Sequence, residues 1–222
     1  MVSSDNFEVF TDASADPLVR GFLHRPVDAH DGLVLTHGAG GNCKGPLLVA
    51  LAEAFADAGM AVLRCDLPFR QFRSFGPPRP GQAARDRQGL KTAVAAVRKL
   101  VRGRIFLGGH SYGGRQASML CAEEPELVQG LLLSSYPLHP PGKPDQLRTQ
   151  HLPKLATSAL FVQGTRDPFG SIAEMESALK LIPARTVLLK VDGAGHDLGF
   201  KGKTKPDVLP SMVLAEFTKL FD

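Results

Sequence analysis

The chain has 222 residues, which is enough to bury a self-sufficient hydrophobic core and too few for two domains of average size, so residues 1–222 are predicted to form a single domain. Hydrophobic residues make up 43% and charged residues 22% of the chain, a usage that excludes a disordered or fibrous design. The formal net charge of +4 is mild. It favours an ordinary solvated surface, with an acidic substrate as the alternative.

The N-terminal sequence MVSSDNFEVF lacks a basic start followed by an apolar run, and no apolar stretch reaches the roughly 18 residues of a membrane-spanning helix. We therefore expect a cytoplasmic protein without a membrane partner. Its three cysteines, Cys43, Cys65 and Cys121, form an odd set without the spacing of metal ligands. This usage indicates buried thiols in a reducing compartment, with neither a disulfide framework nor a metal site.

Short apolar runs alternate along the chain with longer amphipathic stretches, the pattern of βα units that build a parallel sheet. The predicted strands cover residues 8–11, 19–24, 32–36, 60–65, 104–109, 130–134, 159–163 and 186–191, of which the first two form an antiparallel hairpin at one edge. The predicted helices cover residues 46–58, 83–101, 112–123, 171–181 and 207–221. The sequence thus predicts an α/β fold with a doubly wound, mostly parallel sheet of about 7–8 strands flanked by helices.

Two proline-rich segments, residues 75–81 and 137–153, are predicted to be ordered loops at the carboxyl edge of the sheet, where ligands bind. The second is too short for a helical lid, so an open, shallow site is expected. Lys143, Arg148 and Arg70 are candidates for contacting an anionic group there, with plain surface positions as the alternative. Phenylalanines alternate with Arg70 and Arg73, a pattern that can stack nucleic-acid bases in a basic groove. Because these residues lie in a short loop and not in a groove, no nucleic-acid partner is expected.

The strongest local motif is Gly109-His110-Ser111-Tyr112-Gly113, which follows a predicted strand and precedes a predicted helix. A sharp strand-to-helix turn strains the backbone of its central residue and needs small residues on either side. Gly109 and Gly113 meet that need, and a following Gly114 relieves the helix start. Ser111 is therefore predicted to be the nucleophile.

A serine needs a base to take its proton and an acid to orient that base. In folds with this turn, the acid comes after the serine along the chain and the histidine comes after the acid. Asp167 comes directly after the strand at residues 159–163, and His196 follows the last strand. Both are predicted to complete a catalytic triad with Ser111. Asp192 and Asp197 are rival acids, and Asp167 has the alternative of a helix cap or turn former.

Acyl attack also requires two fixed N–H donors for the developing oxyanion. Tyr112, next to the nucleophile, is predicted to supply one, and Ala39 the other, with Gly40 as second choice. His37 and His110 are candidate substrate-binding residues, and for His37 the alternative of bracing its loop is favoured. The same loop, residues 38–45, partly matches a phosphate-binding loop, but Cys43 stands where glycine is needed.

The order of the HGAGG loop, the GHSYGG turn, the GTRDPFG turn and the GAGHDL loop resembles the α/β-hydrolase superfamily over nearly the whole chain. Residues 64–69 and 136–144 resemble its subgroup related to testis-expressed protein 30 and the dienelactone-hydrolase-like proteins. This resemblance implies a lidless domain whose triad, by position, is Ser111, Asp167 and His196. Dienelactone hydrolases use a cysteine nucleophile where this chain has Ser111, so the resemblance does not imply that this chain acts on their substrate. The subgroup usually has Arg and Met where His110 and Tyr112 stand.

These features predict a cofactor-free serine hydrolase that cleaves a small ester, thioester or activated amide through an acyl-enzyme on Ser111. Two alternatives stay open: a peptidase-type hydrolase with the same triad, and a non-catalytic interaction protein on a hydrolase scaffold. The expected partner is a small-molecule ester or amide substrate, and the chain is expected to be a monomer or a homodimer.

Overall fold

The computed structural model describes residues 7–202 and 207–222. Its strands are β1 (Glu8–Asp12), β2 (Val19–His24), β3 (Gly32–Thr36), β4 (Ala61–Cys65), β5 (Ile105–His110), β6 (Gly130–Ser134), β7 (Ala159–Gly164) and β8 (Thr186–Val191). Its helices are α1 (Pro46–Asp57), α2 (Pro68–Phe72), α3 (Ala83–Arg98), α4 (Tyr112–Glu123), α5 (Ile172–Leu179) and α6 (Leu209–Phe221), and a 3₁₀ turn spans Leu152–Lys154.

The eight strands form one open sheet in the order β1-β2-β4-β3-β5-β6-β7-β8. The two pairings at the β1 edge, β1 with β2 and β2 with β4, are antiparallel. All other neighbours are parallel. The predicted doubly wound, mostly parallel sheet is confirmed, including the antiparallel hairpin at its edge.

Helices cover both faces of the sheet and create two apolar cores. One core joins the sheet to α3, α4 and α5, and the other joins it to α1 and α6. Strands buried on both faces need apolar residues at every position, and all five residues of β3, β4 and β6 are buried. The edge strand β8 is only half-buried. The central strands therefore form a rigid support whose carboxyl ends meet along one edge.

The short helix α2 was not predicted from the sequence. Its five residues are too few to display a helical period, but Pro68 fits its first turn because proline has no N–H to leave unpaired there. The carboxylate of the fully buried Asp86 then accepts a hydrogen bond from the Phe69 amide at 3.1 Å. The helix is thus fixed by a tertiary contact to α3.

The three cysteines are free and buried in the described chain, as predicted. Burial raises the pKa of the Cys43 and Cys121 thiols to about 12. Within residues 7–202 and 207–222, no helix has the length and apolar character needed to cross a membrane.

Candidate active site

Ser111 lies in a tight turn between β5 and α4, with the backbone angles φ 53° and ψ −117°. This conformation strains a residue that carries a side chain. Its amide donates to the Ser134 carbonyl at 2.8 Å, which ties the turn to β6. A Cβ added at Gly109 would lie 2.8 Å from the Gly114 nitrogen, and one at Gly113 would lie 2.5 Å from the His37 carbonyl oxygen. Only glycine therefore fits at both positions.

The acid and the base come from neighbouring loops at the same edge of the sheet. Asp167 follows β7, and His196 follows β8. The Arg166 amide donates to the Ala194 carbonyl at 2.9 Å, which holds the two loops together. Gly164 permits this approach, because a Cβ there would overlap the Ala194 carbonyl oxygen.

The three side chains meet in one continuous hydrogen-bonded line. The Ser111 hydroxyl lies 2.8 Å from His196 Nε2. On the other side of the ring, Nδ1 lies 2.8 and 3.0 Å from the two carboxylate oxygens of Asp167. Because a carboxylate accepts hydrogen bonds, Nδ1 carries the proton of the neutral ring, and Nε2 is left to accept from the Ser111 hydroxyl.

Burial in this line increases from base to acid. The His196 side chain is 23% exposed, whereas the Asp167 side chain is fully buried. The Phe169 ring stacks on the imidazole with ring centroids 4.1 Å apart, and its amide donates to Asp167 at 2.9 Å. The ring of His196 is therefore fixed by a hydrogen bond to the Asp167 carboxylate at one edge and by the Phe169 ring against its face.

The rival acids are occupied elsewhere. Asp192 accepts from the Thr165 hydroxyl at 3.3 Å, and Asp197 accepts from the amides of Gly199 and Lys201, each at 3.1 Å. Of the three candidate acids, Asp167 is the one within hydrogen-bond distance of the His196 ring. The alternative that Asp167 caps a helix does not fit, because Ser171 caps α5 together with Glu174.

The loop after β3 runs directly past the nucleophile. A Cβ added at Gly38 would lie 3.2 Å from the Ser111 Cβ, so the loop passes close to Ser111 just before Ala39. Ala39 is half-buried and Gly40 is exposed. The Tyr112 amide, at the first position of α4, has no partner within its own helix. Backbone amides of this kind are the donors that an oxyanion hole uses.

Arg70 supports this loop from behind, a role not predicted from the sequence. Its buried guanidinium donates to the carbonyl oxygens of Ala39 and Gly76, both at 2.8 Å, and to that of Arg73 at 2.9 Å. Arg70 therefore positions backbone and is not available to an anion. Lys143, by contrast, is exposed, and Arg148 is half-buried.

Both candidate substrate-binding histidines make backbone hydrogen bonds instead. His37 is buried, with Nδ1 2.8 Å from the Gly38 carbonyl and Nε2 accepting from the Leu67 amide at 3.1 Å. The structure thus supports the alternative that His37 braces its loop, and it leaves neither ring nitrogen for substrate. His110 lies with Nε2 2.8 Å from the His196 carbonyl, so it braces the loop of the base.

Asp86 is a further residue of the site that the sequence patterns missed. Its second carboxylate oxygen accepts from the Tyr112 hydroxyl at 2.8 Å. Burial raises the pKa of this carboxyl, the Tyr112 and Phe69 bonds opposing that rise. An acid inside an amphipathic helix gives no sequence signal of its own, so Asp86 did not stand out. Phe169 lies in the turn after β7, where a single aromatic residue forms no motif.

The phosphate-loop alternative finds no support in the geometry. The Lys44 ammonium lies over the Phe22 ring, 5.5 Å from its centroid, and its amide is bonded to the Asn42 side chain at 2.9 Å. Among residues 7–202 and 207–222, no group of three His, Cys, Asp or Glu side chains is arranged to hold a metal ion.

Comparisons with known proteins identify the family and the fold. A family model described as an alpha/beta hydrolase domain matches residues 29–217, and the chain belongs to this family. A dienelactone hydrolase from Anabaena variabilis superposes with a TM-score of 0.78 at 21% identity, over 98% of this chain and 100% of that one.

Two further solved structures share the fold. An alpha-beta serine hydrolase homologue from Coxiella burnetii has a TM-score of 0.72 at 18% identity, over 97% of this chain and 99% of its own. XC6422 from Xanthomonas campestris, described as a serine hydrolase without a lid, has a TM-score of 0.68 at 15% identity, over 100% of this chain and 98% of its own. Family and fold together define a hydrolase of the α/β class.

Proposed function

We propose that the protein is a serine hydrolase that cleaves a small ester, thioester or activated amide through an acyl-enzyme on Ser111. The observation that carries the proposal is the line of hydrogen bonds from Ser111 through His196 to the buried Asp167, each at 2.8 Å. A serine hydroxyl is a weak nucleophile at neutral pH, and a base so placed removes its proton during attack.

In the first half-reaction, Ser111 Oγ attacks the carbonyl carbon while His196 Nε2 takes the hydroxyl proton. Asp167 stabilises the imidazolium that forms, and the amides of Tyr112 and Ala39 donate to the oxyanion, with Gly40 as the neighbouring donor. The tetrahedral intermediate then collapses, and His196 returns the proton to the departing alcohol, thiol or amine.

In the second half-reaction, a water molecule gives its proton to His196 Nε2 and attacks the acyl carbon. The second intermediate collapses as His196 Nε2 returns this proton to Ser111 Oγ, which releases the carboxylic acid and restores the Ser111 hydroxyl. Because Nδ1 stays hydrogen-bonded to Asp167, every proton transfer in both half-reactions takes place at His196 Nε2. The chain supplies all of these groups from its own side chains and backbone.

A fluorophosphonate probe tests this proposal, because it reacts with an activated serine and not with an ordinary one. We expect stoichiometric labelling of the wild-type protein at Ser111 and none in Ser111→Ala. Ser118→Ala is a matched control, since Ser118 is a buried serine on the same helix, bonded to His151. Failure of the wild-type protein to react would instead favour an interaction protein on a hydrolase scaffold.

The peptidase alternative uses the same triad and differs in what the pocket accepts. A panel of p-nitrophenyl esters and aminoacyl anilides separates the two activities. We expect turnover of the esters, because an open site without a lid suits small substrates. Faster hydrolysis of the anilides would assign a peptidase.

Several finer points of the proposal rest on the sequence alone. Membership of the subgroup related to testis-expressed protein 30, a cytoplasmic location, a single domain and a monomeric or homodimeric state remain predictions. The expected partner is the ester or amide substrate itself, with neither nucleic acid nor membrane involved.

A further inference from the structure

An acidic side chain close to the nucleophile turn is buried without a basic partner. Asp86, in the first turn of α3, is fully buried, and within residues 7–202 and 207–222 no Lys, Arg or His forms an ion pair with it. A carboxyl group removed from water is costly unless hydrogen bonds replace the lost solvent contacts. Both carboxylate oxygens of Asp86 accept such a bond, and the two donors belong to different segments, α2 and α4.

The first hydrogen bond fixes the residue that follows the nucleophile. Asp86 Oδ2 accepts from the Tyr112 hydroxyl at 2.8 Å. Burial raises the pKa of Tyr112, and the bond to Asp86 raises it further, so the hydroxyl keeps its proton and remains a donor. The Tyr112 ring also packs edge-on against Phe69, with ring centroids 5.8 Å apart. The side chain is thereby held at its hydroxyl and at its ring, which limits how far the backbone amide of the same residue can move.

The second hydrogen bond fixes α2, which in turn holds the loop after β3. Asp86 Oδ1 accepts from the Phe69 amide at 3.1 Å, and an amide in the first turn of a helix has no partner within that helix. The next residue, Arg70, donates to the Ala39 carbonyl at 2.8 Å. Asp86 is therefore linked to Ala39 through two hydrogen bonds and one residue step along α2.

The two supported segments touch at the nucleophile turn. A Cβ added at Gly113 would lie 2.5 Å from the His37 carbonyl oxygen, and one added at Gly38 would lie 3.2 Å from the Ser111 Cβ. The start of α4 and the loop after β3 are thus packed so closely that a shift of one presses on the other. Since both segments are tied to the same carboxylate, their relative position depends on Asp86.

We propose that Asp86 is a positioning residue of the oxyanion hole, whose two carboxylate oxygens hold the amides of Tyr112 and Ala39 in one fixed arrangement. The inference rests on the proposed function, because these amides have a catalytic task only if an oxyanion forms at Ser111. Donors fixed in advance stabilise the transition state more than the bound ester, in which the oxyanion has not yet formed. Loss of the Asp86 contacts therefore lowers kcat and leaves KM nearly unchanged.

Removal of the Tyr112 hydroxyl tests the first contact with the smallest change in shape. We expect Tyr112→Phe to lower kcat for a p-nitrophenyl ester at least about tenfold, with KM within about threefold of wild type. Tyr136→Phe is the matched control, because Tyr136 is the other tyrosine of the chain and is buried, with its hydroxyl 3.2 Å from His151. Its kcat should stay within about threefold of wild type. A change confined to KM in Tyr112→Phe would overturn the inference.

Substitution of Asp86 tests both contacts together. Asparagine keeps an acceptor for the Phe69 amide, and its own amide group can donate to the Tyr112 oxygen, whereas leucine provides neither. We expect kcat of Asp86→Leu to lie at least about tenfold below that of Asp86→Asn. Adding Tyr112→Phe to Asp86→Leu should cause less than about a threefold further loss, because the contact is already gone. Additive losses would mean that Tyr112 does not act through Asp86.

A spectroscopic measurement observes the Asp86 contact without turnover. The chain has no tryptophan and two tyrosines, so in Tyr136→Phe the near-ultraviolet tyrosine absorbance comes from Tyr112 alone. We expect this absorbance to shift to shorter wavelength when Asp86→Leu is added, because the hydroxyl then loses its hydrogen-bond acceptor. An unchanged spectrum would contradict the contact.

The failure of this inference is distinguishable from the failure of the proposed function. If fluorophosphonate labels the wild-type protein but Tyr112→Phe and Tyr136→Phe have equal kcat, the hydrolase proposal stands and the positioning role of Asp86 is wrong. If the wild-type protein is not labelled, the hydrolase proposal fails, and the role of Asp86 in catalysis fails with it.

Discussion

Individual polar residues at the carboxyl edge of the sheet divide into those that form the hydrogen-bonded line from the Ser111 hydroxyl and those that hold loops. Asp167 and His196 belong to the first group, while Arg70 and His37 hold the loop of Ala39. All four are charged or titratable residues beside the site, and only their hydrogen bonds distinguish them. Substitutions at this scale should therefore separate chemistry from support.

Asp167→Asn removes the negative charge that holds the His196 tautomer and stabilises the imidazolium. We expect kcat to fall by about 10⁴-fold, the effect typical of losing the triad acid, with little change in stability. Ester hydrolysis assays at neutral pH measure it. Asp192→Asn is the matched control, with kcat within about threefold of wild type, and a larger loss there than in Asp167→Asn would assign the acid to Asp192.

The sequence alone predicted the residues that occur at strand ends in a recognisable order. Ser111, Asp167 and His196 each follow an apolar strand, so their convergence follows from parallel strands sharing one edge. Arg70, Asp86 and Phe169 could not be predicted in the same way. Their roles depend on contacts between segments distant in sequence, such as the 2.8 Å bond between Asp86 and Tyr112.

Among the structural elements, the two loops that supply acid and base touch through the end of β7. Gly164→Ala places a methyl group against the Ala194 carbonyl and 2.7 Å from that of Gly195, so the His196 loop must move. We expect kcat/KM to fall at least about 100-fold, because small displacements of a catalytic base are costly. Gly195→Ala meets no atom closer than 4.0 Å and should retain activity within about fivefold. Equal activity of both variants would contradict this packing.

The loop that carries Ala39 depends on α2 through the Arg70 guanidinium. Arg70→Met keeps the apolar stem but removes the donors to the Ala39 carbonyl, so the oxyanion donor loses its support. We expect kcat to fall by about 10 to 100-fold with a smaller change in KM, as for losing part of an oxyanion hole. The control is Arg73→Met, whose parent side chain donates to the Pro77 carbonyl and should matter less. A change confined to KM would indicate substrate contact instead.

Strands were predicted more accurately than short helices for a physical reason. A strand buried on both faces is a continuous apolar run bounded by turns, and β3 and β6 match their predicted bounds. The helix α2 has only five residues and depends on tertiary support. Helix ends were also predicted less accurately: α3 ends at Arg98, three residues before its predicted end.

For the molecule as a whole, buried neutral histidines couple stability to pH. Burial lowers the pKa of His24, His110 and His151 to about 4. In the unfolded chain these groups take up protons below a pKa of about 6.5. Because the folded pKa is the lower one, their stabilising effect is complete above pH 6.5 and is lost as the pH falls towards 4.

We therefore expect the free energy of unfolding, from urea titrations followed by circular dichroism, to decrease between pH 7 and pH 4.5. His24→Gln keeps an acceptor for Arg64 Nε, which donates to His24 at 3.0 Å, and removes one titrating group. The decrease should be smaller in this variant by about 1–2 kcal/mol. An unchanged slope would show that His24 does not contribute to the acid sensitivity.

His196, the proposed base, follows β8, the strand at the far edge of the sheet, whose residues are mostly half-buried. Ser111, the proposed nucleophile, follows the buried central strand β5. Edge segments detach from a sheet at lower free-energy cost than central ones. We therefore expect mild denaturant to abolish activity at a lower concentration than it unfolds the rest of the protein. Loss of fluorophosphonate labelling should then occur at a lower denaturant concentration than loss of the circular dichroism signal. Labelling would in that case report the local stability of the edge strand β8.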